Sequence, residues 1–175
     1  MKIRTLGKSG LAVSEIGLGC WQLGGDFGPV SDDRANAILT AAHRAGIDFW
    51  DTADVYGGGG SESRIGNFLD RHEAVATVAT KVGRDSALFP DGYTKGKVRA
   101  NIEGSARRLG VEAIDLVQLH CVPQEVLKAG DILAWMEDFQ SEGLLRHFGA
   151  SVELIDDALI AVQHPKLASL QIIFN

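Results

Sequence analysis

The chain is 175 residues long, 45% hydrophobic and 23% charged, a make-up that fits one folded domain with a substantial core and excludes a disordered polypeptide. Its formal charge of -6, with no basic run beyond Arg107-Arg108, excludes a surface built to grip a nucleic-acid backbone. No stretch approaches the ~20 apolar residues of a membrane span, and Met1 to Leu6 alternates charged and apolar residues instead of forming a secretory leader, so the expectation is a cytoplasmic protein with no membrane partner.

Residues 1 to 15 predict a β-hairpin, with Ile3-Arg4-Thr5-Leu6 and Leu11-Ala12-Val13 flanking the turn-rich Lys8-Ser9-Gly10. From residue 16 onward, short apolar runs alternate with longer segments of helical period, the pattern of β-α units around a parallel sheet. Six such runs are expected as strands: Ile16 to Cys20, Ile47 to Trp50, Val75 to Thr80, Ile114 to Leu119, Leu145 to Gly149, and Leu167 to Phe174. Being nearly continuous in apolar residues, they suit strands covered on both faces.

The intervening helices carry their own punctuation. Ser31-Asp32-Asp33 predicts a capped helix running to Ala45 and stopped by Gly46. A less marked helix follows Ser61. Thr94 opens another, with Val98, Ile102 and Leu109 on one stripe and Gly110 as terminator. Asp131 opens a further helix ended by Gly143, and Ser151 is expected to cap a last one that stops before His164-Pro165. Cys20 and Cys121 lack C-x-x-C spacing, which suggests neither a zinc site nor a disulfide framework, and reduced thiols are expected.

The polar residues that break the apolar runs do so at their C-terminal ends. Asp51 ends the second run, Lys81 the third, and His120 the fourth; Ser151 follows the fifth. In a sheet of parallel strands these ends emerge on one face, where sites form on such folds. An isolated tyrosine holds its proton to a pKa near ~10, and an adjacent ammonium lowers that value. Tyr56, five residues after Asp51, is therefore the candidate acid, with Lys81 as its activator and Asp51 orienting Lys81. A neutral His120 would hydrogen-bond a substrate oxygen and aim it at Tyr56.

Three segments, Asp51-Thr52-Ala53-Asp54-Val55-Tyr56-Gly57, Ala79-Thr80-Lys81-Val82 and Asp115-Leu116-Val117-Gln118-Leu119-His120, resemble the signature regions of the aldo-keto reductase family. Leu6-Gly7-Lys8-Ser9-Gly10-Leu11-Ala12-Val13-Ser14 and Ile16-Gly17-Leu18-Gly19-Cys20-Trp21 resemble its bacterial branches, which include relatives of the potassium-channel β subunits. The resemblance covers the whole chain.

What the resemblance implies is an α/β fold, a (β/α)8 TIM barrel whose bottom is closed by the hairpin, with NADPH (NADP) extended across the top. Hydride passes to the carbonyl carbon of an aldehyde or ketone while Tyr56 protonates the oxygen, with Asp51, Lys81 and His120 completing the catalytic tetrad. Ser151 and Gln171 match residues that hold the nicotinamide carboxamide. Gly19, Cys20 and Trp21 fall where the first loop meets cofactor and substrate, and Trp21, Tyr56 and His120 border the substrate. The family often has Asn after that serine; this chain has Val152.

Plainer readings stand beside these. Asp51 and Lys81 form a structural ion pair, His120 a core histidine, Tyr56 a loop aromatic packed on Trp21, and Gln171 an interior group paired with its neighbours. The glycines Gly57 to Gly60 lack the Gly-Lys-Ser/Thr of a phosphate loop, and Gln22 replaces the third glycine of a Rossmann fingerprint after Gly17-Leu18-Gly19. Two other function classes fit the same residues: a cofactor-binding regulatory subunit, and a Schiff-base aldolase using Lys81. About six β/α units are present where the barrel needs eight and ~250 residues, so the expectation is a single barrel domain over residues 1–175 that lacks its C-terminal part.

Overall fold

The computed structural model describes residues 1–173. An N-terminal hairpin pairs β1 (Ile3–Thr5) with β2 (Ala12–Ser14) antiparallel. Six further strands then form one parallel sheet in sequence order: β3 (Leu18–Gly19), β4 (Phe49–Asp51), β5 (Thr77–Val82), β6 (Ile114–His120), β7 (Leu145–Ser151) and β8 (Ser169–Gln171). Consecutive parallel neighbours joined by helices are the half-barrel that the alternating pattern predicts.

Six helices connect them: α1 (Asp32–Arg44), α2 (Gly60–His72), α3 (Lys95–Leu109), α4 (Gln124–Ala129), α5 (Asp131–Ser141) and α6 (Ile155–Ala161). The expected caps hold at α1, where Ser31 Oγ accepts from the Arg34 amide, and at α3, where Thr94 Oγ1 accepts from the Lys97 amide and Gly110 turns left-handed at φ 72°. Ser151 is not a cap. It is the last residue of β7, and α6 begins only at Ile155, because the strand ladder to β8 continues through Ser151.

The sequence starts four of the six strands two residues early, and starts β6 and β7 at the residues observed, Ile114 and Leu145. Val75 and Ala76 lie before β5, which runs on through Lys81 to Val82, and Ile16 and Gly17 lie before the two-residue β3. Polar residues are at home inside these strands because one face of the sheet is a polar interior. Of the last expected run, Phe174 lies outside the described residues, and the strand seen is Ser169–Gln171.

Side chains of the sheet alternate between two environments. Trp50, Val78, Val82, Val117, Leu119 and Phe148 point outward, are buried, and pack with Phe68 of α2, Val98 and Ile102 of α3, and Met136 and Phe139 of α5. Burial of this kind stabilises by ~25 cal/mol per Å² of apolar surface. The hairpin is tied to the opening of β4: the Ser14 amide donates to Asp48 Oδ1 at 2.7 Å, and the Asp48 amide donates back to Ser14 Oγ at 3.1 Å. It thus lies at the N-terminal ends of the strands, away from Asp51, Lys81 and His120. Among the described residues no helix is long and apolar enough to cross a membrane, and both cysteines are free thiols.

Candidate active site

The ladder register gathers the candidate residues. Gly19 pairs with Asp51, Asp51 with Ala79, Lys81 with Gln118, His120 with Ser151, and Ser151 with Gln171. Paired residues in a parallel ladder share a face, as do residues two apart along a strand. Gly19, Asp51, Lys81, Gln118, His120, Ser151 and Gln171 therefore all belong to the concave face, at the C-terminal ends of the six strands, with Gln118 two residues back from the end of β6. One two-residue period, read across six strands, makes the site.

Lys81 is its hub. Its side chain is 2% exposed, and Nζ donates to Asp51 Oδ2 at 2.8 Å, to the Thr52 carbonyl at 2.7 Å, and to Tyr56 Oη at 3.4 Å. All three ammonium hydrogens thus have acceptors, as a buried cation requires. Tyr56 lies in the loop after β4, in a short turn of Tyr56–Gly59, with the Lys81 ammonium 5.0 Å from its ring centroid. Its ring stacks on Trp21 at 5.4 Å and 16°, and meets the His120 ring edge to face at 5.9 Å. The packing partner foreseen for Tyr56 as a plain loop aromatic is present, together with the ammonium that such a reading does not need.

The electrostatics depart from expectation at Tyr56. Burial first, and then the Asp51 carboxylate, push its phenol up to about 12, although the neighbouring ammonium by itself favours the opposite direction. His120 behaves as anticipated: burial, with Lys81 and Arg84 as like charges, lowers it to about 3, so the imidazole is neutral. Its Nδ1 is buried without a hydrogen-bond partner among the described residues.

The remaining sequence candidates divide. Trp21 is 48% exposed and borders, with Tyr56 and His120, a pocket of about 540 Å³ also lined by Asp26, Arg84, Cys121 and Glu153. Gly19 faces open space where a side chain would project and borders a groove of about 680 Å³ with Asp51 and Gln171. The Cys20 thiol is different: it is fully buried among core residues, and burial pushes it up to about 12, so its side chain has no surface open to a bound cofactor. Gln171 adopts the interior pairing, accepting from Gln118 Nε2 at 3.2 Å and donating to Asp51 Oδ2 at 3.4 Å. Val152, where the family often has Asn, is buried in the core.

Sequence reasoning missed several residues. Gln118, two residues before His120 on the same face, carries a buried Oε1 with no hydrogen-bond partner among the described residues. Asp54 is 6% exposed, neither carboxylate oxygen has a well-formed hydrogen bond among the described residues, and burial, with the nearby Glu62, pushes it up to about 7 against the adjacent Val55 amide. Glu62, fully buried on α2, accepts from Thr80 Oγ1 and from Arg108 Nε at 2.6 Å. Asp26 contacts both Trp21 and Gly57. Only Gln118 was signalled, by its place two residues before a strand-end histidine.

The sequence model of the aldo/keto reductase family matches residues 15–175. L-galactose dehydrogenase of Arabidopsis thaliana is 34% identical over 154 residues, covering 85% of this chain and 48% of that protein. An aldo-keto reductase from Bacillus halodurans, solved in its holo form, superposes with a TM-score of 0.85 at 30% identity, over 99% of this chain and 58% of the other. An aldo-keto reductase from Klebsiella pneumoniae in complex with NADPH gives a TM-score of 0.78 at 26% identity, over 99% and 59%. This chain spans about half the length of the curated relatives it matches. It belongs to the aldo/keto reductase family, and its six-stranded sheet is the corresponding part of a (β/α)8 barrel.

Proposed function

We propose that this member of the aldo/keto reductase family carries the active site for reversible, NADPH-dependent reduction of an aldehyde or ketone to an alcohol, with Tyr56 as the proton donor. The observation that carries the reading is the approach of the buried Lys81 ammonium to Tyr56 Oη, with the same ammonium anchored on Asp51 and a neutral His120 beside the phenol ring.

The residues present fit a nicotinamide cofactor. The open space over Gly19, the unpartnered Oε1 of Gln118, and the hydroxyl of Ser151 stand together on the concave face, where the carboxamide end would be held. Gln171 joins them by exchanging its bond to Gln118. When bound, the cofactor supplies the hydride. Its preference for NADPH over NADH rests on family likeness and on the complex of the Klebsiella relative.

The chain's own residues manage the proton. The carbonyl oxygen is received between Tyr56 Oη and the His120 ring, which orients it without adding charge. As hydride reaches the carbon, the oxygen becomes an alkoxide, about as basic as hydroxide and far more basic than a phenolate. A phenol held at about 12 therefore still gives up its proton downhill. Lys81 acts after that transfer: its ammonium, already 3.4 Å away, stabilises the phenolate as it forms. Because Lys81 is fixed by Asp51 and Thr52 beforehand, no reorganisation is needed at that moment.

The test is aldehyde-dependent loss of the NADPH absorbance with wild type and Tyr56→Phe across a broad aldehyde panel. Loss of ~10²- to 10⁴-fold in kcat in a folded Tyr56→Phe protein is expected. Full activity in that variant would overturn the mechanism.

A further inference from the structure

We infer that Asp26 is a positioning residue that sets the placement of the Tyr56 phenol; this rests on reading Tyr56 as the proton donor. Tyr56 is not held by a strand. The residues that follow it, Gly57 and Gly58, are both left-handed, at φ 58° and 59°, so the loop must be fixed by contacts from elsewhere. The first loop, Trp21 to Val30, supplies them. Gly57 is pressed against Gly24: a Cβ on Gly57 would lie 2.0 Å from the Gly24 carbonyl oxygen, and a Cβ on Gly24 would lie 2.6 Å from the Gly57 nitrogen.

Across this backbone-to-backbone approach, Asp26 Oδ2 accepts two hydrogen bonds. One, at 3.0 Å, comes from the Gly57 amide; the other, also at 3.0 Å, comes from Trp21 Nε1. A single carboxylate oxygen thus grips both the residue after Tyr56 and the ring stacked on Tyr56. Bonds to an ionised acceptor are about twice as strong as neutral ones. The loop that presents Asp26 is itself anchored on α2: Ser61 Oγ donates to the Cys20 carbonyl at 2.7 Å, and Arg64 reaches the carbonyls of Leu23 and Val30 and the carboxylate of Asp32. The line of support therefore runs from α2 through the first loop to Asp26, and ends at Tyr56. Asp26 borders the pocket of Tyr56 and His120 but makes no hydrogen bond to Tyr56 Oη, Lys81 or His120 among the described residues; it acts through Trp21 and Gly57.

The experiment compares Asp26→Ala and Asp26→Asn, each in wild type and in a Tyr56→Phe background, by steady-state aldehyde reduction with NADPH and by the solvent deuterium isotope effect on kcat. Asp26→Ala is expected to lower kcat on the order of tenfold to a hundredfold, with the aldehyde KM changed less than about threefold and a larger solvent isotope effect, since misplacement of ~1 Å costs that much. Asp26→Asn, which keeps an acceptor oxygen, restores most of the rate. In the Tyr56→Phe background Asp26→Ala has no further effect. A wild-type kcat and isotope effect in Asp26→Ala, equal losses in the Ala and Asn variants, or the same loss in both backgrounds would overturn the inference. If Asp26→Ala does not fold, Trp21→Phe decides in its place: it deletes one donor and keeps a ring, so a smaller loss of kcat is expected and an unchanged kcat overturns the inference. Full activity in Tyr56→Phe alone would instead remove the proposed function beneath it.

Discussion

Lys81 Nζ lies 2.8 Å from Asp51 Oδ2, but the two partners are unequally exposed: 2% for the lysine side chain and 22% for the aspartate. Removing one partner of a buried pair strands the other charge, at a cost of ~3–5 kcal/mol. Asp51→Ala strands the deeper charge. We expect it to destabilise the protein by about 3 kcal/mol in denaturant unfolding, and Lys81→Met to cost clearly less, because Asp51 keeps solvent and Gln171 Nε2. Both variants should lose aldehyde reduction. Equal stability losses would contradict this account of the pair.

The raised phenol of Tyr56 separates the two directions of the reaction. Below about 12 the phenol is protonated, the form that reduction needs and alcohol oxidation does not. Reduction should be flat between pH 6 and 9, whereas kcat for oxidation should climb by about tenfold per pH unit over that range if proton removal limits it. A plateau in oxidation near neutral pH would place the phenol far lower than its burial and Asp51 imply.

His120 gives a spectroscopic prediction. A folded value of about 3 lies below the ordinary 6.5, so the protonated imidazole is disfavoured by the fold. The sign follows: the unfolded chain binds this proton first, and stability from His120 falls as pH drops from about 6.5 toward about 3. Nitrogen chemical shifts of His120 should remain those of a neutral ring down to pH 5. Titration near 6.5 would show the ring to be solvated.

Asp54 works in the opposite sense. Its carboxyl is raised from 3.8 to about 7, so the folded state binds the proton more tightly than the unfolded one. The contribution to stability is complete below about 4 and is lost as pH rises through about 7. Asp54→Asn removes that loss. It should raise the denaturation midpoint at pH 8 relative to wild type and leave the midpoint at pH 4 nearly unchanged, measured with urea at both pH values. A variant less stable at pH 8 would mean that ionised Asp54 is stabilised by a partner.

How much of this could be read in advance follows physical lines. Asp51, Lys81 and His120 were legible because a polar residue ending an apolar run is a one-dimensional signal, and parallel strands turn it into a three-dimensional one. The Ser31 and Thr94 caps were legible for the same reason, since each acts within three residues. Asp26 was not: its partner Gly57 is 31 residues away, and neither position belongs to a periodic segment. The six residues of α4 are too few to show a helical stripe. The direction at Tyr56 was missed because the sequence names the nearby charges and gives neither their distances nor the burial of the phenol, and there burial first and then the Asp51 carboxylate raise it. The burial of the Cys20 side chain was not legible, because it is decided by packing with core residues far along the sequence.

The two-residue period that puts Gly19, Asp51, Lys81, His120, Ser151 and Gln171 on one face makes strand register a chemical variable. Sliding β5 by one residue against β4 would swing Lys81 out toward α2 and bring Thr80 or Val82 into line with Tyr56, leaving the sheet's backbone bonds countable but its ammonium gone. Insertions in the loops between strands and helices can be absorbed by solvent. An insertion inside β5 or β6 cannot, so these two short segments tolerate changes of residue far better than changes of length.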